Sequence, residues 1–133
     1  MPVDRFNPPE LHAPDGYSHV TISSAGRLAH LAGQCPVDPS DQVVPGDILA
    51  QTDQVVANCL TALSAAGATA SDVVRSVVYV VSADHVVLGD VWRRLVASDL
   101  GPAFSTASTL LGVTALGYAG QLVEVDLTAA LPA

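Results

Sequence analysis

The chain has 133 residues, half of them hydrophobic and only 14% charged, with a net charge of −8 and no lysine. That length fits one domain, large enough to build its own core without disulfide or metal staples. The charge balance speaks against a general nucleic-acid or anionic-membrane binder, since both draw on Lys and Arg set against phosphate.

The charged fraction lies well below the roughly one quarter of an ordinary soluble domain. Burial against copies of itself is one way for such a chain to cover its surface. Cys35 and Cys59 show no CxxC spacing and read as reduced, partly buried thiols. The start, MPVDRFNPPE, has no apolar leader, and no stretch is long enough to span a bilayer. The expected location is cytoplasmic.

Residues 1–16 are rich in proline and polar side chains and read as an irregular arm. From Ser18 to Ser23 the pattern SHVTIS alternates as a half-buried strand does. Ala25-Gly26 reads as a turn, so a hairpin is expected with a second strand from Arg27 to Ala32. Three prolines and several aspartates make residues 36–46 a loop. Asp47 is a good N-cap for a helix from Ile48 to about Ala66, and Gly67 is placed to end it. On that helix Ile48, Thr52, Val55, Val56, Cys59 and Leu63 form one stripe, with Gln51, Gln54, Asn58 and Thr61 on the other side.

Val73 to Val81 is the strongest strand, apolar on both faces apart from Arg75 and Ser76. Such a strand sits centrally in a sheet that is covered twice. A second helix is expected from about Asp84 to Ala97, with Trp92 in the core and Asp90 paired with Arg94. Strands from Phe104 to Leu111 and from Gln121 to Ala129 close the chain. The expected architecture is a single α+β domain, β-β-α-β-α-β-β, a mixed sheet with two helices on one face. Nothing in the chain is left to cover the other face, so a partner subunit is expected there.

At this point the chain resembles the Rid (reactive intermediate deaminase, or YjgF) family over almost its whole length. Gly16-Tyr17-Ser18 resembles the family's G-P-Y-S entry, and Leu31-Ala32-Gly33-Gln34 its S-G-Q segment. Gln51-Thr52 with Asn58 resembles its Q-T…N helix. Pro102 to Thr106 resembles its P-A-R-S-T motif, and Val123-Glu124-Val125 its closing V-E-I strand. Each piece is weak; the ordered set is specific. The resemblance implies a chorismate-mutase-like fold and a homotrimer with a cleft at each subunit interface. It further implies hydrolysis of enamines and imines to keto acids and ammonia, with no cofactor. An arginine clamps the substrate carboxylate, a glutamate handles the water, and a tyrosine and backbone amides line the pocket.

The chain departs from that pattern where the clamp should be: Phe104 stands in place of the arginine. A planar five-donor cation has become an apolar ring, and bidentate carboxylate recognition goes with it. The family's asparagine on the second helix is also missing, with Gly89 at about that place. The resemblance therefore leaves Glu124 as the candidate catalytic acid or base, with Tyr17, Gly33, Phe104 and Thr106 as candidate ligand contacts. The expected ligand is a small organic molecule less acidic than amino-acid-derived imines. Phe104 could stack on an apolar ligand or plug the old pocket; Phe104→Arg is expected to restore some keto-acid binding, provided Glu124 and Tyr17 point the same way. One alternative is a non-catalytic ligand-binding or regulatory trimer. A second is RNA cleavage, attributed to some relatives, against which the charge balance speaks. His12, His19, His30 and His85 make no metal motif; His19 and His30 could meet across the hairpin, but two histidines fall short of the three protein ligands zinc usually takes.

Overall fold

The computed structural model describes residues 3–24 and 26–132. Eight elements follow in chain order: β1 (Val3–Phe6), β2 (Val20–Ser23), β3 (Leu28–His30), α1 (Ile48–Ala65), β4 (Val73–Val80), α2 (His85–Ala97), β5 (Ala107–Gly112) and β6 (Val123–Ala130). A four-stranded mixed sheet runs in the order β3-β6-β4-β5, with β4 and β5 parallel and the other neighbours antiparallel. Both helices pack on one face of it, so the α+β class with two helices on a mixed sheet holds.

The helix ends follow local chemistry. Asp47 accepts a hydrogen bond from the Ala50 N–H at 2.9 Å, satisfying one of the free donors of the first turn of α1. At the other end Gly67 adopts φ +82°, which glycine reaches without a Cβ penalty. Its N–H meets the Ser64 carbonyl and that of Ala68 meets Leu63, the paired bonds of a Schellman cap. Asp84 caps α2 through the Val86 N–H at 2.9 Å.

Between the helices and the sheet lies the core. Val55, Cys59 and Leu63 of α1 and Val91 and Leu95 of α2 close on Val78 and Val80 of β4 and on Val123, Val125, Leu127 and Ala129 of β6. The alternate residues of β6 (Glu124, Asp126 and Thr128) are half-buried on the far face. Register places Tyr79 beside Glu124, Val77 beside Asp126 and Leu111 beside Tyr79 on that same face. Neither helix covers it. Among the described residues no helix is long and apolar enough to cross a membrane.

The N-terminal third differs from expectation. The arm carries a strand, β1, which pairs with β2 in a separate two-stranded ribbon. The hairpin expected between the second and third strands does not form; β3 pairs with β6 instead. Ala25, in the expected turn, lies outside the described residues. The physical reason is visible at β2. Ser18 N–H donates to the Thr106 carbonyl at 3.1 Å, and Ala107 N–H donates to the Thr21 hydroxyl at 2.8 Å. The Arg5 guanidinium of β1 donates to the carbonyls of Ser71 and Val73 at 2.8 and 2.9 Å. The ribbon is thus tied to the starts of β4 and β5, away from β3. His19 accordingly lies beside His12, with ring centroids 4.7 Å apart, rather than facing His30 across a hairpin.

Two further corrections concern α2 and β5. Arg94 does not pair with Asp90. It forks onto Asp53 of α1 with two bonds of 2.8 and 2.7 Å, while Arg93 takes Asp90. Packing of the two helices brings Asp53 within reach of a rigid fork that matches its carboxylate. Residue 104 is not in a strand. Gly101–Phe104 form a 3₁₀ turn, with N–H bonds from Ala103 to Leu100 and from Ser105 to Pro102, and β5 begins only at Ala107.

Candidate functional site

Glu124 is held by fixed neighbours on the far face of β6. Gln121, only 3% exposed, donates to its Oε1 at 3.1 Å and to the Val123 carbonyl at 3.1 Å. The Cys35 thiol reaches the same Oε1 at 3.4 Å. The other oxygen, Oε2, sits over Gly33: a Cβ built there would lie 2.1 Å from it. Glycine at 33 is therefore a spatial requirement of the carboxylate, in the place where backbone must approach closely. One oxygen is tied by donors, and the second is carried over bare backbone.

The loops that bring these groups together are pinned by α1. Asn58 donates to the carbonyls of Cys35 and Val37, both at 2.9 Å. Gln51, almost fully buried, donates to the Gly120 carbonyl at 3.0 Å and accepts from Leu122 N–H at 2.8 Å. The polar side of α1 is thus a loop anchor on both flanks of Glu124. Gln34 adds a two-way backbone bridge to Val125, the residue after Glu124.

The thiol of Cys35 is pushed up to about 11, first by burial, then by its bond to Glu124 and by that carboxylate's charge; Gln121 opposes this slightly. At neutral pH it is a donor, not a nucleophile. Glu124→Gln removes the charge and the charge-assisted acceptor, so the Cys35 pKa is expected to fall toward the ordinary thiol value. At a fixed pH of 9 the thiol should alkylate faster in the variant, by several-fold, since each pKa unit is up to tenfold in thiolate. Iodoacetamide kinetics on Cys35, with Cys59 tracked separately by peptide mapping, check this; equal rates would mean that the two side chains do not interact.

A second group of residues lies on the opposite face of the sheet. A cavity of about 360 Å³ is lined by Asp15, Tyr17, Trp92, Ser108 and Leu110, the size of a small-molecule site. The Tyr17 ring stands edge-on to Trp92, with centroids 6.4 Å apart, and its hydroxyl bonds His12 Nε2 at 2.8 Å. Ser108 and Leu110 sit on β5 in register with Ser76 and Val78, on the helix-covered side. Glu124 is on the other side, so one chain does not present Tyr17 and Glu124 to one ligand.

Phe104 and Thr106, both candidate ligand contacts, are buried within the single chain. Phe104 is fully buried, its ring 5.7 Å from that of Trp92, at the base of the core. The 3₁₀ turn directs the side chain inward, so within the chain it plugs the space behind Trp92 and offers no surface. Thr106 is also fully buried, and its hydroxyl is engaged by the Thr21 hydroxyl. It clasps β2 to the start of β5. Of the predicted residues, the structure brings Glu124 to Gly33 and leaves Tyr17 at the cavity. Sequence reasoning missed Gln121, whose position three before Glu124 carries no pattern, and assigned Trp92 to the core alone. Among the described residues no three His, Cys, Asp or Glu side chains cluster as metal ligands.

A carboxylate held by fixed donors on an uncovered sheet face, and an aromatic cavity on the other, define an α+β protein whose candidate site residues lie on two separate faces. A model of the family described as Endoribonuclease L-PSP matches residues 9–131, and the chain belongs to that family, the Rid/YjgF family. It is 33% identical over 115 residues to the protein DfrA of Myxococcus xanthus, covering 85% of this chain and 83% of that one. A RutC family protein of Pyrococcus horikoshii is 45% identical over 56 residues, 41% of this chain and 44% of that one. Among solved structures, the Rid-family protein YyfB from Yersinia pestis superposes with a TM-score of 0.89 at 36% identity, over 98% of this chain and 100% of that one. A member of the YjgF/YER057c/UK114 family from Mycobacterium tuberculosis gives 0.63 at 32% identity, with 87% of each chain covered.

Proposed function

We propose that the chain works as a homotrimer that binds a small organic molecule in clefts between subunits and hydrolyses an enamine- or imine-type bond in it. The observation that carries this reading is the held carboxylate of Glu124 on a sheet face that neither helix covers. Tyr17 and its cavity lie on the opposite side, so a ligand touching both needs two chains. The half-buried Val77 and Tyr79 and the exposed Leu111 beside Glu124 give a partner subunit apolar area to bury.

In this reading water adds to the carbon of the C=N bond while Glu124 takes its proton through Oε2. Glu124 passes that proton to the nitrogen, and as the C–N bond breaks the carbinol hydroxyl gives its own proton to the departing nitrogen, leaving a carbonyl compound and ammonia. Gln121 and Cys35 keep Oε1 occupied and so fix the direction in which Oε2 works. Simple α-amino-acid imines are poor substrates, because Phe104 supplies no donor for their carboxylate and is buried. RNA cleavage, the activity in the family's description, is disfavoured by the net charge and the lack of lysine.

The test has two parts. Light scattering should give three times the 13.6 kDa of one chain; a monomer mass at micromolar concentration defeats the intersubunit cleft. Imines made in situ from neutral or basic amines should decay faster with the protein, and Glu124→Gln should remove about 10²- to 10⁴-fold of that acceleration. An unchanged rate in the variant would take Glu124 out of the chemistry.

A further inference from the structure

We propose that the Tyr17–Trp92 cavity binds an organic cation, a protonated amine or iminium group carried on an apolar body. The chemistry of the lining points there. Asp15 supplies a carboxylate, Tyr17 and Trp92 supply two aromatic surfaces, Leu110 an apolar wall and Ser108 a hydroxyl. No arginine lines the cavity. Arg5 is spent on the Ser71 and Val73 carbonyls, Arg75 on Thr109, Arg93 on Asp90 and Arg94 on Asp53. An anion entering this space would lose water and meet a like charge. A cation would meet π-faces and a carboxylate, the combination that recognises ammonium groups.

The aromatic walls are held in place. Tyr17 is oriented by its bond to His12, and His12 in turn by the hydrogen bond its carbonyl accepts from His19 Nε2 at 2.7 Å. Trp92 is backed by Phe104, which packs edge-on behind it. Phe104 therefore acts on the ligand through Trp92. Gly16, at φ +84°, lets the Asp15–Tyr17 loop lie against the indole, with a built Cβ already 3.7 Å from Trp92 Nε1. The preference for a cation deepens the ligand half of the cleft proposed above and rests on that reading.

Trp92 is the sole tryptophan, so intrinsic fluorescence of the full-length protein reports the site directly. Benzylammonium, benzyl alcohol and benzoate share a ring and differ in charge. Benzylammonium is expected to bind about tenfold more tightly than benzyl alcohol, with benzoate weakest. Asp15→Asn, an exposed loop change, should cost benzylammonium about fivefold and leave benzyl alcohol unchanged. Calorimetry on Trp92→Phe, which keeps an aromatic wall, should preserve the same order of affinities. Equal binding of the three probes, tighter binding of benzoate, or an Asp15→Asn variant that binds the cation as well as wild type would overturn the proposal. Imine turnover is scored separately with Glu124→Gln. Cation selectivity without turnover keeps this site and removes the hydrolytic reading; turnover without cation selectivity does the reverse.

Discussion

Replacing Gly33 by alanine should lower imine turnover by about a hundredfold or more while leaving the fold in place. The new methyl would lie 2.1 Å from Glu124 Oε2 and 2.8 Å from its carboxyl carbon. Gly33 sits in a loop after β3 with no left-handed φ recorded for it, so alanine suits its backbone and fails only for space. The flexible side chain gives way, and Glu124 swings off the position set by Gln121 and Cys35. A displacement of about 1 Å in a reacting group is enough for a loss of that size. Single-turnover kinetics beside a thermal melt check this, with Glu124→Gln as reference. If Gly33→Ala works at the wild-type rate, Oε2 is not the working oxygen. If it melts far below wild type, Gly33 serves the fold instead.

Phe104→Arg should destabilise the chain by about 3–5 kcal/mol and bring no gain in keto-acid binding. Residue 104 is fully buried among Leu100, Ala103, Val91 and Leu95 and packs against Trp92. A guanidinium there would lose its hydration with no buried carboxylate to meet it. This reverses the expectation drawn from the motif alone, in which an extended residue 104 faces a cleft. Urea unfolding compares the variant with Phe104→Leu, which stays apolar and should cost only about 1–2 kcal/mol. A Phe104→Arg protein as stable as wild type that binds pyruvate would show that the side chain faces a ligand after all. Two thiols in different places, Cys59 in the core and Cys35 beside Glu124, set an alkaline limit to stability. Cys35 and Cys59 are raised to about 11 and about 12 by burial. The unfolded chain releases those protons from about pH 9 upward, so stability is complete below that pH and falls as pH rises through the folded values.

What the sequence determined by itself is local or periodic. Both helices, the first with Asp47 as its cap and Gly67 as its terminator, follow from nearby side chains and apolar spacing. The strand alternation of β6 separates Val123, Val125, Leu127 and Ala129 from Glu124 and Asp126, because a strand has a period of two whatever it pairs with. The family is legible for the same reason: its motifs are short runs with fixed spacing. Even the loop anchors Gln51 and Asn58 are visible as a motif, though not as anchors.

The tertiary structure alone decided which strand lies beside which. A turn signal at Ala25-Gly26 makes a hairpin plausible, but β2 is claimed by hydrogen bonds to Thr106 and Ala107, some 85 residues away along the chain. No local pattern reports such a bond. The same holds at residue 104, where the motif preserves Pro102, Ala103, Ser105 and Thr106. That frame does not say that the turn points inward, because direction is set by packing in the core and on Trp92. The site itself is the clearest case. Gly33 and Cys35 reach Glu124 only because β3 and the segment after it run along β6. A carboxylate's neighbours are a property of strand pairing, and strand pairing is a non-local choice.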